Sequence, residues 1–362
     1  MDHKGRQKKL QESLSSSRLD ALLITHLPNI RYLCGFTGSS GVLLITQKTN
    51  VFFTDGRYTE QARAEVQGAK LRIGKGAPMS SAGAWLSANR RKLALKSVGI
   101  EADHLRVADQ TRLSKTLKSG SRLRQAPPLV ENARMVKDGE EIERLRAAVI
   151  LGASLFDGAL KTIRPGVRET EVAAEMEYAA RRAGAEGMSF ETIIASGPRS
   201  ALPHGRASGA AIASEGFVVC DFGVILAGYC SDMTRTVFVG RIPAKARQMY
   251  EAVREAQQAA VEAVRPGARL GDVDGAARKL LRNNGLGRNF THSTGHGVGL
   301  EIHEAPRVAA GKSEQLQPGM VITIEPGVYV PGVGGVRIED MVLVTERGCE
   351  VLTPTAKELI TL

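Results

Sequence analysis

Asp221 and Asp232 stand in two apolar stretches, 217–226 and 230–239, that meet at Ala227-Gly228. The stretches read as a strand hairpin turning at that dipeptide. Such a hairpin sets Asp221 opposite Thr234 and makes Asp232 its diagonal neighbour on the same face. Two carboxylates that close repel each other, so the pair requires a cation or a shared proton. The plainer alternative is that one of them is a solvated edge residue. A second hairpin, 321–330 with 335–344, turns at Pro331–Gly334. It carries Glu325 after Val321-Ile322-Thr323-Ile324 and Glu339 after Val336-Arg337-Ile338. Carboxylates in apolar strands are rare unless paired or bound to metal. With that turn the two glutamates miss a common face by one residue, unless Pro326 introduces a bulge. The alternative partner for Glu325 is Arg337.

Histidines supply the second donor type. His296 lies in Gly295-His296-Gly297-Val298-Gly299, with His292 just before it and His303 after it. His204 sits in the turn-like Leu202-Pro203-His204-Gly205. The glycines make poor helix, and the spacing is not that of a helical His-Glu-x-x-His zinc motif. Taken singly, each histidine is more ordinary as a hydrogen-bonded core or surface residue. Together with four carboxylates they form a set suited to Mn²⁺, Fe²⁺, Co²⁺ or Zn²⁺. Four carboxylates exceed the need of one divalent ion, so two ions with shared carboxylates fit better. Cys220 adjoins Asp221 but points to the opposite face of the strand, so no thiolate site is expected.

The elements that must position these groups fall into two parts. At 362 residues the chain is long for one domain. Short strands alternate with helices over the first 125 residues or so: an apolar run at 19–25, strands at 42–45 and 51–54, a helix at 58–66, a strand at 97–101 and a helix at 106–117. Ala126-Pro127-Pro128 breaks the pattern, which divides the chain into 1–128, an α/β domain, and 129–362, an α+β domain. Asp138 is a candidate N-cap for a helix running to Ile163. Ile163-Arg164-Pro165-Gly166 then recurs as Val264-Arg265-Pro266-Gly267, and Gly184 recurs as Gly285. Asp221-Phe222-Gly223-Val224 likewise parallels Glu325-Pro326-Gly327-Val328. The second domain therefore reads as two related halves, each giving a hairpin to the seam, where clefts favour ligands.

Composition excludes several classes. Aromatics are 4%, too few for a single-strand nucleic-acid platform. The net charge of +11 is uneven, with 22 Lys/Arg against 9 Asp/Glu in residues 1–130 and 27 against 29 afterwards. No recognition motif accompanies the basic half, so neither nucleic acid nor membrane is expected as a partner. The four cysteines form no CxxC pair, and residues 1–20 hold no apolar leader, which points to the cytoplasm. No P-loop, dinucleotide fingerprint or Gly-x-Ser-x-Gly elbow occurs, and Gly35–Gly41 reads as a plain loop.

In order and spacing, these motifs resemble the pita-bread metallopeptidases, in their proline-peptidase branch of Xaa-Pro aminopeptidase and prolidase. The resemblance rests on Asp221-Phe222-Gly223, Ser231-Asp232-Met233-Thr234-Arg235-Thr236, Gly295-His296-Gly297 with His303-Glu304, Glu325-Pro326-Gly327 and Arg337-Ile338-Glu339-Asp340. Asn29-Ile30-Arg31-Tyr32-Leu33, Gly35-Phe36-Thr37-Gly38 and Thr54-Asp55-Gly56-Arg57-Tyr58 resemble the creatinase/prolidase N-terminal domain. The resemblance implies a pita-bread domain with an internal pseudo-twofold repeat. It implies two divalent ions, Mn²⁺ first with Co²⁺ or Zn²⁺ as substitutes. Asp221 would bind one ion, His296 and Glu325 the other, and Asp232 and Glu339 both. A water activated between the ions would attack the bond before proline, with Glu325 as general base and His204 and His303 as donors to the carbonyl. His292 would line the substrate pocket, and Arg337 would orient the carboxylates. Short proline-containing peptides and a second copy of the chain, in a homodimer, are the implied partners.

Release of the first residue from longer Xaa-Pro peptides is the favoured activity, with Xaa-Pro dipeptidase as the alternative. A dipeptidase needs a cation for the proline carboxylate, and the sequence singles out no arginine for it. Creatinase lacks the metal ligands, and methionine aminopeptidase lacks this N-terminal domain. A non-catalytic binding module of the same fold would have a degraded ligand set, whereas all five positions are filled here.

Overall fold

The computed structural model describes residues 1–117 and 120–362. It forms two units, Met1–Arg134 and Met135–Leu362. The division falls beyond the Pro127-Pro128 break because the helix Leu129–Met135 buries Val130 in the first unit. Arg134 also donates to Asn29 Oδ1 there, at 2.8 Å.

The first unit is built on a six-stranded sheet. Its spatial order is Lys70–Gly74, Asn50–Asp55, Val42–Thr46, Ala21–Ile24, Ser97–Ile100, Arg122–Gln125. The four central strands are apolar and buried, and they match the runs legible in the sequence. The two edge strands are mostly exposed and polar, so no hydrophobic pattern announces them. The helix His3–Ser16, capped by Asp2 accepting from Gly5 N, is hidden for the same reason. Residues 35–41 form a loop that runs into a strand, and no helix N-terminus follows it.

The second unit repeats itself. Asp138 and Glu141 close a capping box at the start of the helix Gly139–Thr162. The helix Glu169–Arg182 follows, and Ala244–Ala263 with Leu270–Asn283 is the second pair. The bounds of the second helix in each pair differ by 101 residues, the offset of the sequence echo. Gly184 and Gly285 end these helices at φ 97° and 73°, a left-handed stop that side chains resist. Each pair packs on its own sheet. Phe156, Val172 and Met176 meet Val218, Cys220 and Phe222. Val253, Leu270 and Leu281 meet Ile322, Val336 and Ile338.

The first hairpin has the expected register, with Asp221 opposite Thr234 and Leu226 opposite Tyr229. Its ladder breaks at Gly223, where a Cβ would lie 1.8 Å from Ser231 O. Asp232 falls in that break and is free of the ladder. The second hairpin corrects the sequence reading. Its turn has three residues, because Gly334 already pairs with Val330. Ile324 pairs with Asp340 and Gly327 with Arg337, so one unbroken register carries Glu325 opposite Glu339. No bulge at Pro326 is required. Positive φ at Gly332 (78°) and Gly334 (134°) permits the shorter turn.

Candidate metal centre

Glu325 and Glu339 leave their own ladder and bond to neighbouring segments. Glu325 N donates to Thr294 O at 2.8 Å, and Glu339 N donates to Thr234 O at 3.1 Å. The second hairpin is thereby fastened to the His296 segment on one side and to the first hairpin on the other. Side chains of both halves converge on a cleft of about 770 Å³. Asp221, Asp232, His296, Glu325, Glu339, His204, His303, His292 and Arg337 all line it. The nine positions singled out in the sequence are thus brought to one place.

His296 lies in the strand Gly295–Gly297. Its glycine neighbours are required by close backbone rather than by room for an ion. A Cβ at Gly295 would be 1.9 Å from Thr323 O, and one at Gly297 would be 2.2 Å from Ala305 O. The imidazole Nδ1 meets its own neighbour's carbonyl, Gly297 O, at 3.1 Å. Only a protonated nitrogen can donate there, which leaves Nε2 with its lone pair. Nε2 lies 3.3 Å from Glu325 Oε1 and 3.6 Å from Asp232 Oδ2. Burial, and then the nearby His303, hold the His296 pKa down at about 4, so the ring is neutral.

The carboxylates are pushed the other way. Burial first, then the neighbouring acids, raise Asp232 and Glu339 well above the ordinary range. Burial also lifts Glu325 to about 8. One oxygen on each of Asp221, Asp232 and Glu339 is buried without a hydrogen-bond partner. Donor atoms of Asp232, His296 and Glu339 lie within 4.8 Å of one another. Orphaned carboxylate oxygens around a neutral imidazole with a free lone pair are what a divalent cation would satisfy, so the residues fit the metal that the sequence implies.

Arg337 is buried and holds the cluster from one side. It pairs with Asp221 Oδ2, not with Glu325. Its Nε donates to Thr234 Oγ1 at 3.1 Å, and that hydroxyl donates to Glu339 Oε2 at 2.7 Å. Nη1 reaches Tyr329 OH at 2.5 Å and Pro203 O at 3.1 Å. Tyr329 meets His292 Nε2 at 3.0 Å, while His292 Nδ1 meets Ser293 O at 2.8 Å. His292 thus lines the cleft as expected, but both of its nitrogens are engaged within the protein. Burial, then Arg337, lower it to about 4. His303 sets its ring edge-on to His296, with centroids 4.4 Å apart.

Tyr329, Arg307 and Thr323, whose Oγ1 accepts from His296 N at 3.1 Å and donates to Glu325 Oε1 at 3.2 Å, were not legible as site residues. Tyr329 reads as one more apolar strand position, and Thr323 as a filler in Val-Ile-Thr-Ile. Arg307 is placed by register: it pairs with His296 across the strands Gly295–Gly297 and Glu304–Val308. It is exposed at the cleft wall and has no ion-pair partner among the described residues. Arg206, also at the wall, is already paired with Glu191 at 2.9 Å.

Residues 143–346 match the model of metallopeptidase family M24, and residues 6–136 match that of the creatinase/prolidase N-terminal domain. A curated Xaa-Pro dipeptidase from Pyrococcus horikoshii is 38% identical over 98% of this chain and 98% of its own length. The solved Xaa-Pro dipeptidase from Bacillus anthracis superposes with a TM-score of 0.94 at 39% identity, covering 99% of this chain and all of that one. The solved X-Pro aminopeptidase from Thermotoga maritima gives 0.87 at 35%, over 97% of this chain and all of that one. The chain belongs to metallopeptidase family M24, with a creatinase-type N-terminal domain and a pita-bread domain. It is a hydrolase whose family implies divalent metal ions. Among the described residues no helix is long and apolar enough to cross a membrane.

Proposed function

We propose that the protein hydrolyses Xaa-Pro dipeptides, cutting the bond before proline. The favoured sequence reading was cleavage of longer peptides, and two findings move the choice. Relatives of nearly full length bear the name Xaa-Pro dipeptidase. The observation that carries the reading is Arg307, a guanidinium opposite His296 on the cleft wall and free of acidic partners. It supplies the cation that a free proline carboxylate needs.

In this reading Asp221, Asp232, His296, Glu325 and Glu339 hold two divalent ions, Mn²⁺ first among them. Bound there, such ions lower the pKa of water toward neutrality and polarise the scissile carbonyl. Glu325, at the edge of the same donor set, takes a proton from the attacking water as general base. His303 and His204 donate to the carbonyl oxygen as charge develops on it. Arg337 and Thr234 keep Asp221 and Glu339 in place through the bonds described above. A homodimer in the cytoplasm belongs to the same proposal, supported by the family resemblance and by four free cysteines.

The test compares Xaa-Pro with Xaa-Pro-Xaa in Mn²⁺. The dipeptide should be the better substrate by tenfold or more in kcat/KM, about 1.4 kcal/mol. Equal or faster cleavage of the tripeptide would restore the aminopeptidase reading, which the Thermotoga structure keeps in view. Arg307→Met should raise KM for the dipeptide by roughly 10- to 100-fold with kcat little changed, as for a lost charge-assisted hydrogen bond. An unchanged KM would remove Arg307 from the site.

A further inference from the structure

A second charged pair stands at the cleft wall, with Glu304 among the residues that line it. Lys137 Nζ meets Glu304 Oε1 at 2.8 Å, with the two side chains only 1% and 8% exposed. The same ammonium reaches Met135 O at 3.3 Å. A buried ion pair is a poor source of stability, but it fixes geometry, since either charge left alone is costly.

What this pair fixes is the wall carrying His303. Glu304 is the next residue, and it pairs with Gly297 just before the register shifts. Its carboxylate lies against Gly299, where a Cβ would come within 2.4 Å of Oε1. His303 itself is exposed, and its ring rests edge-on against His296. An exposed side chain is little constrained by packing, so its aim depends on how its backbone is held. Lys137 is itself immobilised: Val136 bridges Met320, Lys137 N donates to Gly319 O, and Asp138 caps the long helix.

We propose that Lys137 is a positioning residue for His303, acting through Glu304. The segment that opens the second unit thereby sets the aim of a cleft histidine. The catalytic part of this inference rests on the proposed role of His303; the positional part does not. The test uses the full chain with ¹⁵N-labelled histidine and the double variant Lys137→Met/Glu304→Gln, in which no charge is buried alone. In the metal-free protein the His303 ring resonance, assigned with His303→Gln, should shift or broaden while that of His292 stays in place. In the Mn²⁺-loaded protein kcat should fall 10- to 100-fold with KM within about threefold, the range seen when outer partners of a site are lost. An unmoved His303 resonance, or a change in KM alone, would overturn the proposal. Should the double variant not fold, Glu304→Asp carries the same readout: it keeps both charges but shortens the reach to Lys137 by one methylene, it should shift the same resonance less, and no shift would overturn the idea. A wild-type protein that cleaves no Xaa-Pro peptide would sink the proposed function and leave the resonance test standing.

Discussion

Asp232→Asn should lower kcat/KM by a thousandfold or more, since metal assistance contributes several kcal/mol and each 1.36 kcal/mol is tenfold. Asn has nearly the shape of Asp, so the fold should survive. Asp232 lies in the ladder break beside His296, with one oxygen lacking a partner. On the proposed reading the substitution removes a ligand and a negative charge together, and bound metal per chain should drop. The metal-free variant should be at least as stable as the metal-free parent at pH 8. Burial and the charges of Glu339, Asp221 and Glu325 raise Asp232 well above the ordinary range, so its ionised form is a burden without a cation. The checks are steady-state kinetics, metal analysis and Tm. Full activity in the variant would end the two-ion reading, and a large fall in metal-free Tm would show that Asp232 is structural.

Stripping metal from the parent should make its stability fall as pH rises from about 6.5 to about 8. Burial lifts Glu325 from 4.5 to about 8, and burial and mutual repulsion raise Asp232 and Glu339 as well. Such acids hold protons in the native state that the unfolded chain has already released, so stability drops with pH between the two pKa values. The histidines oppose them. Burial lowers His296 and His292 from 6.5 to about 4, so their contribution rises with pH up to 6.5 and is constant above it. The two trends offset each other below pH 6.5, and only the acids remain above it. Across that upper window Glu325 alone contributes about 2 kcal/mol, or a fall in Tm of roughly 3–4 °C. Divalent metal should abolish the fall by binding only the folded state. Scans of chelated and Mn²⁺-loaded protein at pH 6.5 and 8 decide the matter; a flat or rising Tm in the chelated sample would contradict it.

The register of the first hairpin was legible, because Ala227-Gly228, both at positive φ, permits one tight turn, whereas the break at Gly223 that frees Asp232 was not. The register of the second hairpin was not legible. The choice between a three- and a four-residue turn at 331–334 depends on Gly334, which suits a strand or a turn equally well as a letter in a sequence. One residue of slip moves every side chain to the other face, and here it decided whether Glu325 and Glu339 meet. The repeat was visible because its turns need Arg-Pro-Gly and glycine at fixed offsets, whereas the exposed edge strands of the first unit lack any apolar pattern to betray them.

By itself, then, the sequence determined the candidate donor types, their order and the elements that carry them, because short-range periodicity and turn chemistry are local. Only the tertiary structure decided who pairs with whom. Arg337 goes to Asp221 rather than Glu325, Tyr329 joins Arg337 to His292, Arg307 comes to stand opposite His296, and Lys137 reaches Glu304 across 167 positions. The physical reason is that charges and polar groups taken out of water must find partners wherever the packed backbone brings them. That choice is made between distant segments, and no local pattern records it.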